Sequence, residues 1–200
     1  VVRTQGSLIA DEVTIVGAKV AGRVNEVTFD LGDAIKAHSV LATLDQDDFA
    51  LEVSLSEAQL AQSRAALGLR PGDPLSSLEP QNAPPVREAK AVWEETRARV
   101  ARVRQLQQVA RNTVTQEELD QAIAAEGAAE ARHAAAINGV REKIALITVR
   151  ESELRVAQQR LADTVIRAPF DGLVRERHVA HGSFVQVGEA VATLVRTSVV

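Results

Sequence analysis

The sequence predicts an α+β protein: a β-sandwich made from two copies of one short unit, with a long antiparallel helical hairpin inserted between them. Three observations predict it. Residues 16–45 and 166–195 align without a gap at a constant offset of 150, and eight of the 30 positions are identical: Ala18/Ala168, Gly22/Gly172, Val24/Val174, Glu26/Glu176, Gly32/Gly182, Ala42/Ala192, Thr43/Thr193 and Leu44/Leu194. Ordinary residue frequencies would give roughly two. Between the copies the apolar pattern changes from alternation to heptad spacing. Two helical arms of nearly equal length then flank a short break at 112–114.

Composition narrows the function classes. The 200 residues carry a net charge of −4, which gives no basic footprint for nucleic acid. Only four Phe and Trp93 are aromatic, few for a large globular core. Cysteine and methionine are both absent, so there is no disulfide framework, no thiolate metal site and no thioether relay. No stretch reaches the ~20 apolar residues that span a bilayer, and no signal peptide is present. The chain opens on VVRTQGSLIA and stops on TLVRTSVV, both of which read as strand, so a trimmed polypeptide is expected.

Residues 1–12 read as a strand whose partners lie outside the first unit. The first unit covers 13–45, with valines alternating at Val20, Val24 and Val27 and turns at Gly22 and Gly32. A helical insertion follows over 46–163. Asp45, Asp47 and Asp48 supply a cap and first-turn negative charge that opposes the helix macrodipole. Leu51, Leu55, Ala58, Gln62, Ala65 and Leu69 are spaced 4-3-4-3-4, which predicts a seam on a helix over 46–70.

Five of the six prolines fall within 71–86, which predicts a loop bulging from the ascending arm, with helix resuming near Arg87 and running to 112. Its seam is Trp93, Thr96, Val100, Val103, Gln107 and Ala110. Thr115 and Glu118 form a capping box for a descending helix over 115–163, with a seam of Ile137, Val140, Ile144, Ile147, Leu154 and Leu161. At about 1.5 Å per residue, such a hairpin would project about 75 Å. The second unit covers 164–196, with Gly172 and Gly182 at the same turns, and 197–200 begin a further strand expected near 1–10.

The duplicated unit split by a coiled-coil hairpin resembles the periplasmic adaptor family, also called membrane fusion or HlyD-like proteins. ADTVIRAPFDGLV (162–174) and VAGRVNEVTFDLGDAIKAHSVLATLD (20–45) resemble the two lipoyl-like half-motifs of that family. The resemblance implies that the halves pair into a lipoyl-like sandwich, with 1–12 and 197–200 as edges of a truncated β-barrel. It also implies a channel-docking tip, carried onto Arg104, Val114, Thr115, Leu119 and Asp120 at the family spacing. Gln108 stands where the family usually has Leu. The implied partners are an inner-membrane transporter (RND, ABC or MFS type) and an outer-membrane channel. The implied assembly is a homo-oligomeric ring, often a hexamer, in the periplasm and attached to the inner membrane.

Other readings compete. A lipoyl or biotinyl carrier needs a lysine displayed between the two halves, yet none lies between Lys36 and Lys90. No cofactor is therefore expected. His178 and His181 are three apart, which on a strand turns them to opposite faces and argues against a metal site. His38 and His133 are isolated and read as surface or turn residues. No nucleophile–base pair, carboxylate dyad or phosphate loop stands out, so a non-enzymatic role is expected. A structural coiled-coil scaffold with no transporter is the alternative to an adaptor.

Overall fold

The computed structural model describes residues 13–70, 72–75, 78–109 and 115–196. The expected strands at 1–12 and 197–200, Ala110, and the break with Val114 lie outside these residues. Two compact units emerge, one from the chain's two ends (through Glu57 and from Glu153) and one from Ala58–Ser152.

The first unit is a sandwich of two four-stranded sheets. Its strands are β1 (Val13–Gly17), β2 (Gly22–Val27), β3 (Ala34–Ile35), β4 (Val40–Leu44), β5 (Val165–Arg167), β6 (Gly172–Arg177), β7 (Phe184–Val185) and β8 (Ala190–Arg196). One sheet runs β1-β8-β6-β3 and the other β5-β4-β2-β7. Each sheet thus places two strands from one copy beside two from the other. Swapping the copies converts one sheet into the other, as the offset of 150 requires. Backbone bonds repeat the symmetry: Gly32 N–H donates to the Val174 carbonyl (2.9 Å), and Gly182 N–H to that of Val24 (2.8 Å).

Neither copy can complete a sheet alone, because β1 and β3 flank strands of the other end. Between the sheets lie Val24, Leu41, Leu44, Ile166, Val174, Val185, Val191 and Leu194, all buried. Burying one such side chain stabilises by about 1.5–3 kcal/mol, which makes this core the main force holding the two ends together.

Most turns use glycine where the backbone needs it. Gly32 and Gly182 have φ of 88° and 82°, in the left-handed region that side chains disfavour. At the next turn Gly188 (φ 83°) has His38 (φ 65°) as its counterpart, so His38 is a turn residue held by its backbone.

The second unit is helical, and three helices feed it: α1 (Asp47–Ala65), α2 (Pro84–Val109) and α3 (Gln116–Asp163). α2 and α3 are antiparallel. Val86 packs in one cluster with Val140, the Trp93 ring stacks on His133 (5.3 Å), and Gln107 reaches Gln116. α1 also runs against α3, with Gln59 bonded to Arg150 and Arg64 paired with Glu151 at 3.0 Å.

Three details correct the sequence reading. First, α1 ends at Ala65 and not at Arg70. Gly68 takes φ 74°, its N–H bonds the Ala65 carbonyl, and Leu69 N–H bonds that of Arg64. That is a Schellman ending, which closes the last carbonyls around a left-handed glycine. Secondly, α2 begins at Pro84 and not near Arg87. Proline is tolerated in the first turn, where its missing N–H would have had no helical partner.

Thirdly, the α1 seam sits two residues from the expected one. The covered positions are Phe49, Val53, Ser56, Leu60, Ser63 and Leu67, with the same 4-3-4-3-4 spacing, while Leu51 and Leu55 are exposed. On α2 and α3 the expected seams are the inner ones, with Val100, Val140 and Ile147 fully buried.

The proline-rich segment is packed at both ends. Leu67, Leu78 and Ala83 join Val86, Ala136, Ile137, Val140 and Ile144 in one cluster. The segment covers the α3 face that α1, ending early, leaves bare.

Candidate functional site

The tip of the helical unit is built by the last turns of α2 and the first of α3. Thr115 caps α3: Glu118 N–H donates to Thr115 Oγ1 (3.2 Å), and Thr115 N–H donates to a Glu118 carboxylate oxygen (3.0 Å). This reciprocal box satisfies donors that a helix start leaves open. Gln116 then bridges the helices, receiving Gln107 Nε2–H and donating to Asp120. The tip is therefore tied together by side chains that are themselves exposed.

The expected docking residues divide into two kinds. Arg104, Gln108, Thr115 and Asp120 are exposed and available to a partner. Leu119 is only 9% exposed and packs inside the helix pair. Of the expected docking residues that the structure describes, it is the one least displayed. Two residues that sequence reasoning missed are displayed instead: Val109, 81% exposed, and Ile123. Their signal was an apolar side chain off the seam, where a helix in water carries polar residues.

Charge at the tip is split between the helices. Arg99, Arg102 and Arg104 are exposed on α2, and Glu117, Glu118 and Asp120 on the first turns of α3. The acids sit where the α3 dipole favours them. This end therefore presents cations from α2, anions from α3 and the apolar side chain of Val109.

His178 and His181 are held by the sandwich. His178 Nε2 shares a hydrogen bond with Thr193 Oγ1 (2.8 Å), and His181 Nδ1–H donates to the Asn25 carbonyl (2.6 Å). Among the described residues no three His, Asp or Glu side chains converge as metal ligands would. No helix described is long and apolar enough to cross a membrane.

A structural tie lies in the first unit, where the chain leaves β4 for α1 and returns from α3 to β5. Thr164 is fully buried there; its hydroxyl accepts from Gln46 Nε2 (2.7 Å) and donates to the Leu161 carbonyl (2.7 Å). Its own carbonyl accepts the Leu44 N–H. Thr164 thereby ties the exit and the return of the helices to β4. Thr164→Val keeps the shape but strands the Gln46 amide. It should destabilise the sandwich by about 1–3 kcal/mol, read as a lowered urea midpoint with an unchanged slope.

The whole arrangement has known counterparts. Residues 12–195 match the family model for the CzcB-like, barrel-sandwich hybrid domain. Multidrug resistance protein MdtN of Shigella flexneri is 26% identical over 94% of this chain, and the same protein of Escherichia coli O157:H7 is equally similar. The chain spans 57% of the length of these relatives. Among solved structures, the soluble domain of LipC, a membrane fusion protein of a type I secretion system, superposes with a TM-score of 0.57 at 15% identity, covering 93% of this chain and all of that one. The periplasmic adaptor protein EmrA superposes with a TM-score of 0.53 at 20% identity, covering 94% of this chain and 73% of that one. These two likenesses establish the fold.

Proposed function

We propose, from the premise that this chain belongs to the family of CzcB-like barrel-sandwich hybrid domains, that it is the periplasmic part of an adaptor in a tripartite efflux or type I secretion system. One observation carries the reading. The two ends of the chain complete each other's sheets, and most of what lies between them is given to helices, which display charged and apolar side chains where α2 ends and α3 begins. In this reading the work of the chain is positional rather than chemical. The MdtN relatives, named for multidrug resistance, support export as the process served.

In this reading the sandwich belongs to the side nearer an inner-membrane transporter, of RND, ABC or MFS type, and the tip meets an outer-membrane channel. Several copies stand around one conduit. Arg104, Gln108, Val109 and Asp120 make the channel contact, with Thr115 and Leu119 shaping the turn that presents them. The test places a photo-crosslinking residue at position 108 or 120 of the full-length parent in intact cells. Capture of an outer-membrane channel protein is the expected result. Capture of no channel in cells that still export would leave a coiled-coil scaffold as the better description.

A further inference from the structure

Beside the turn that joins β6 to β7, the sandwich carries a cleft of about 260 Å³ lined by Arg23, Val24, Asn25, Asp45, His181 and Gly182. Its backbone frame is fixed. Val24 N–H donates to the Ser183 carbonyl (2.7 Å), Gly182 N–H to that of Val24 (2.8 Å) and Asp45 N–H to that of Arg23 (2.8 Å). The polar side chains are only partly used. Arg23 donates through Nε to the Gly182 carbonyl (3.4 Å), and its two η nitrogens have no partner among the described residues. One Asp45 carboxylate oxygen accepts the Asp47 N–H (3.2 Å); the other has no partner among the described residues, and neither has the Asn25 amide. Arg23 and Asp45, opposite in charge, thus line one cleft without pairing with each other.

The repeat shows that the fold does not require these groups. The same frame recurs in the other half, where Val174 N–H donates to the Asp33 carbonyl (3.0 Å) and Gly32 N–H to that of Val174 (2.9 Å). There Leu173, Arg175, Val195 and Leu31 stand in place of Arg23, Asn25, Asp45 and His181. Three of these four are apolar, and Leu31 is 66% exposed. The polar groups of the cleft are therefore additions to a frame that stands without them.

We propose that this cleft binds a small zwitterion of the amino-acid class. Arg23 supplies a cationic fork for a carboxylate. Asp45 supplies negative charge for an ammonium group. His181 adds an acceptor: its Nδ1–H is committed to the Asn25 carbonyl (2.6 Å), so the neutral ring carries its lone pair at Nε2. An anion or a cation alone suits the cleft poorly, since each would meet a like charge beside its partner. Exposed groups bind weakly, and a dissociation constant on the order of millimolar is expected. Because Asp45 also accepts the Asp47 N–H, occupancy reaches the first turn of α1.

The test uses the isotope-labelled chain alone, so its outcome leaves the channel-docking proposal untouched. Glycine and γ-aminobutyrate, whose charges lie at different separations, are titrated at neutral pH and constant ionic strength. At least one should shift the amides of Asn25, Asp47 and Gly182 saturably. Acetate and methylammonium, each carrying one of the two charges, should bind roughly tenfold or more weakly. Arg23→Leu copies the residue that the frame already holds at 173, so the sandwich should keep its amide spectrum while zwitterion binding falls roughly tenfold or more. Asp45→Asn keeps an oxygen for the α1 cap and removes the charge; it should weaken the zwitterion without weakening acetate. The absence of a saturable shift with either zwitterion would overturn the proposal. So would acetate or methylammonium binding as tightly, or zwitterion binding unchanged in Asp45→Asn.

Discussion

Gly172→Ala should unfold most of the sandwich, whereas the same change at its repeat counterpart, Gly22, should pass almost unnoticed. A Cβ built on Gly172 falls inside the van der Waals radius of the Val195 carbonyl oxygen and within 3.3 Å of the Phe170 ring. That oxygen belongs to β8, the strand against which β6 pairs from Gly172 to Arg177. Backbone on a central strand cannot step aside as a side chain can, so the methyl group must push β6 from β8. At Gly22 the nearest atom is Leu44 Cδ1 at 3.4 Å, an ordinary van der Waals contact. We expect a loss of about 3 kcal/mol or more for Gly172→Ala and under about 1 kcal/mol for Gly22→Ala. Hydrogen exchange at β6 and β8 amides reads the difference; equal protection in the two variants would show that the strands can separate without penalty.

The contrast shows what a repeat can and cannot reveal in sequence. Identity at Gly22 and Gly172 locates two equivalent points, and the exchange of strands between sheets follows from the pseudo-symmetry. Only coordinates separate a glycine pressed against backbone from one with room for a methyl group. The seams of α2 and α3 were legible because one face of each is clearly more apolar than the rest. α1 was not. Its two 4-3-4-3-4 stripes differ by two residues, and the one with Leu51, Leu55 and three small or polar partners reads as well as the one with Phe49, Val53 and Leu60. In the fold the Phe49 stripe is the covered one, and the Glu52–Arg160 pair at 2.8 Å lies beside it. A helix with apolar residues on two faces has no single apolar face to find.

The ends of α1 and α2 were misplaced for a related reason. Gly68 lies inside an uninterrupted helical pattern, and nothing local says that it will take a left-handed conformation. Pro84 and Pro85 look like breakers, although at a helix start they cost nothing. The early stop and early start together leave room for the proline-rich segment to turn Leu67 and Leu78 inward onto Val140. Packing over α3 decided both limits, and packing is what periodicity along one strand of chain omits.

Arg104→Asp in the full-length parent should reduce export to the level of a strain lacking the adaptor, with the hairpin intact. Arg104 is exposed on α2, so the aspartate has no buried neighbour to disturb; any change in stability should stay within about 0.5 kcal/mol. What changes is the charge offered to a docking partner, from basic to acidic. Leu119→Asp should also stop export, but by another route. Its side chain is covered by the helix pair, and a buried, unpaired carboxylate there would open the first turns of α3 and undo the Thr115–Glu118 box. The two variants separate in amide exchange at residues 116–122, protected in the first and exposed in the second. An Arg104→Asp protein that exports normally would remove Arg104 from the contact, and attention would pass to Val109 and Ile123, whose apolar side chains stand in water at the same end.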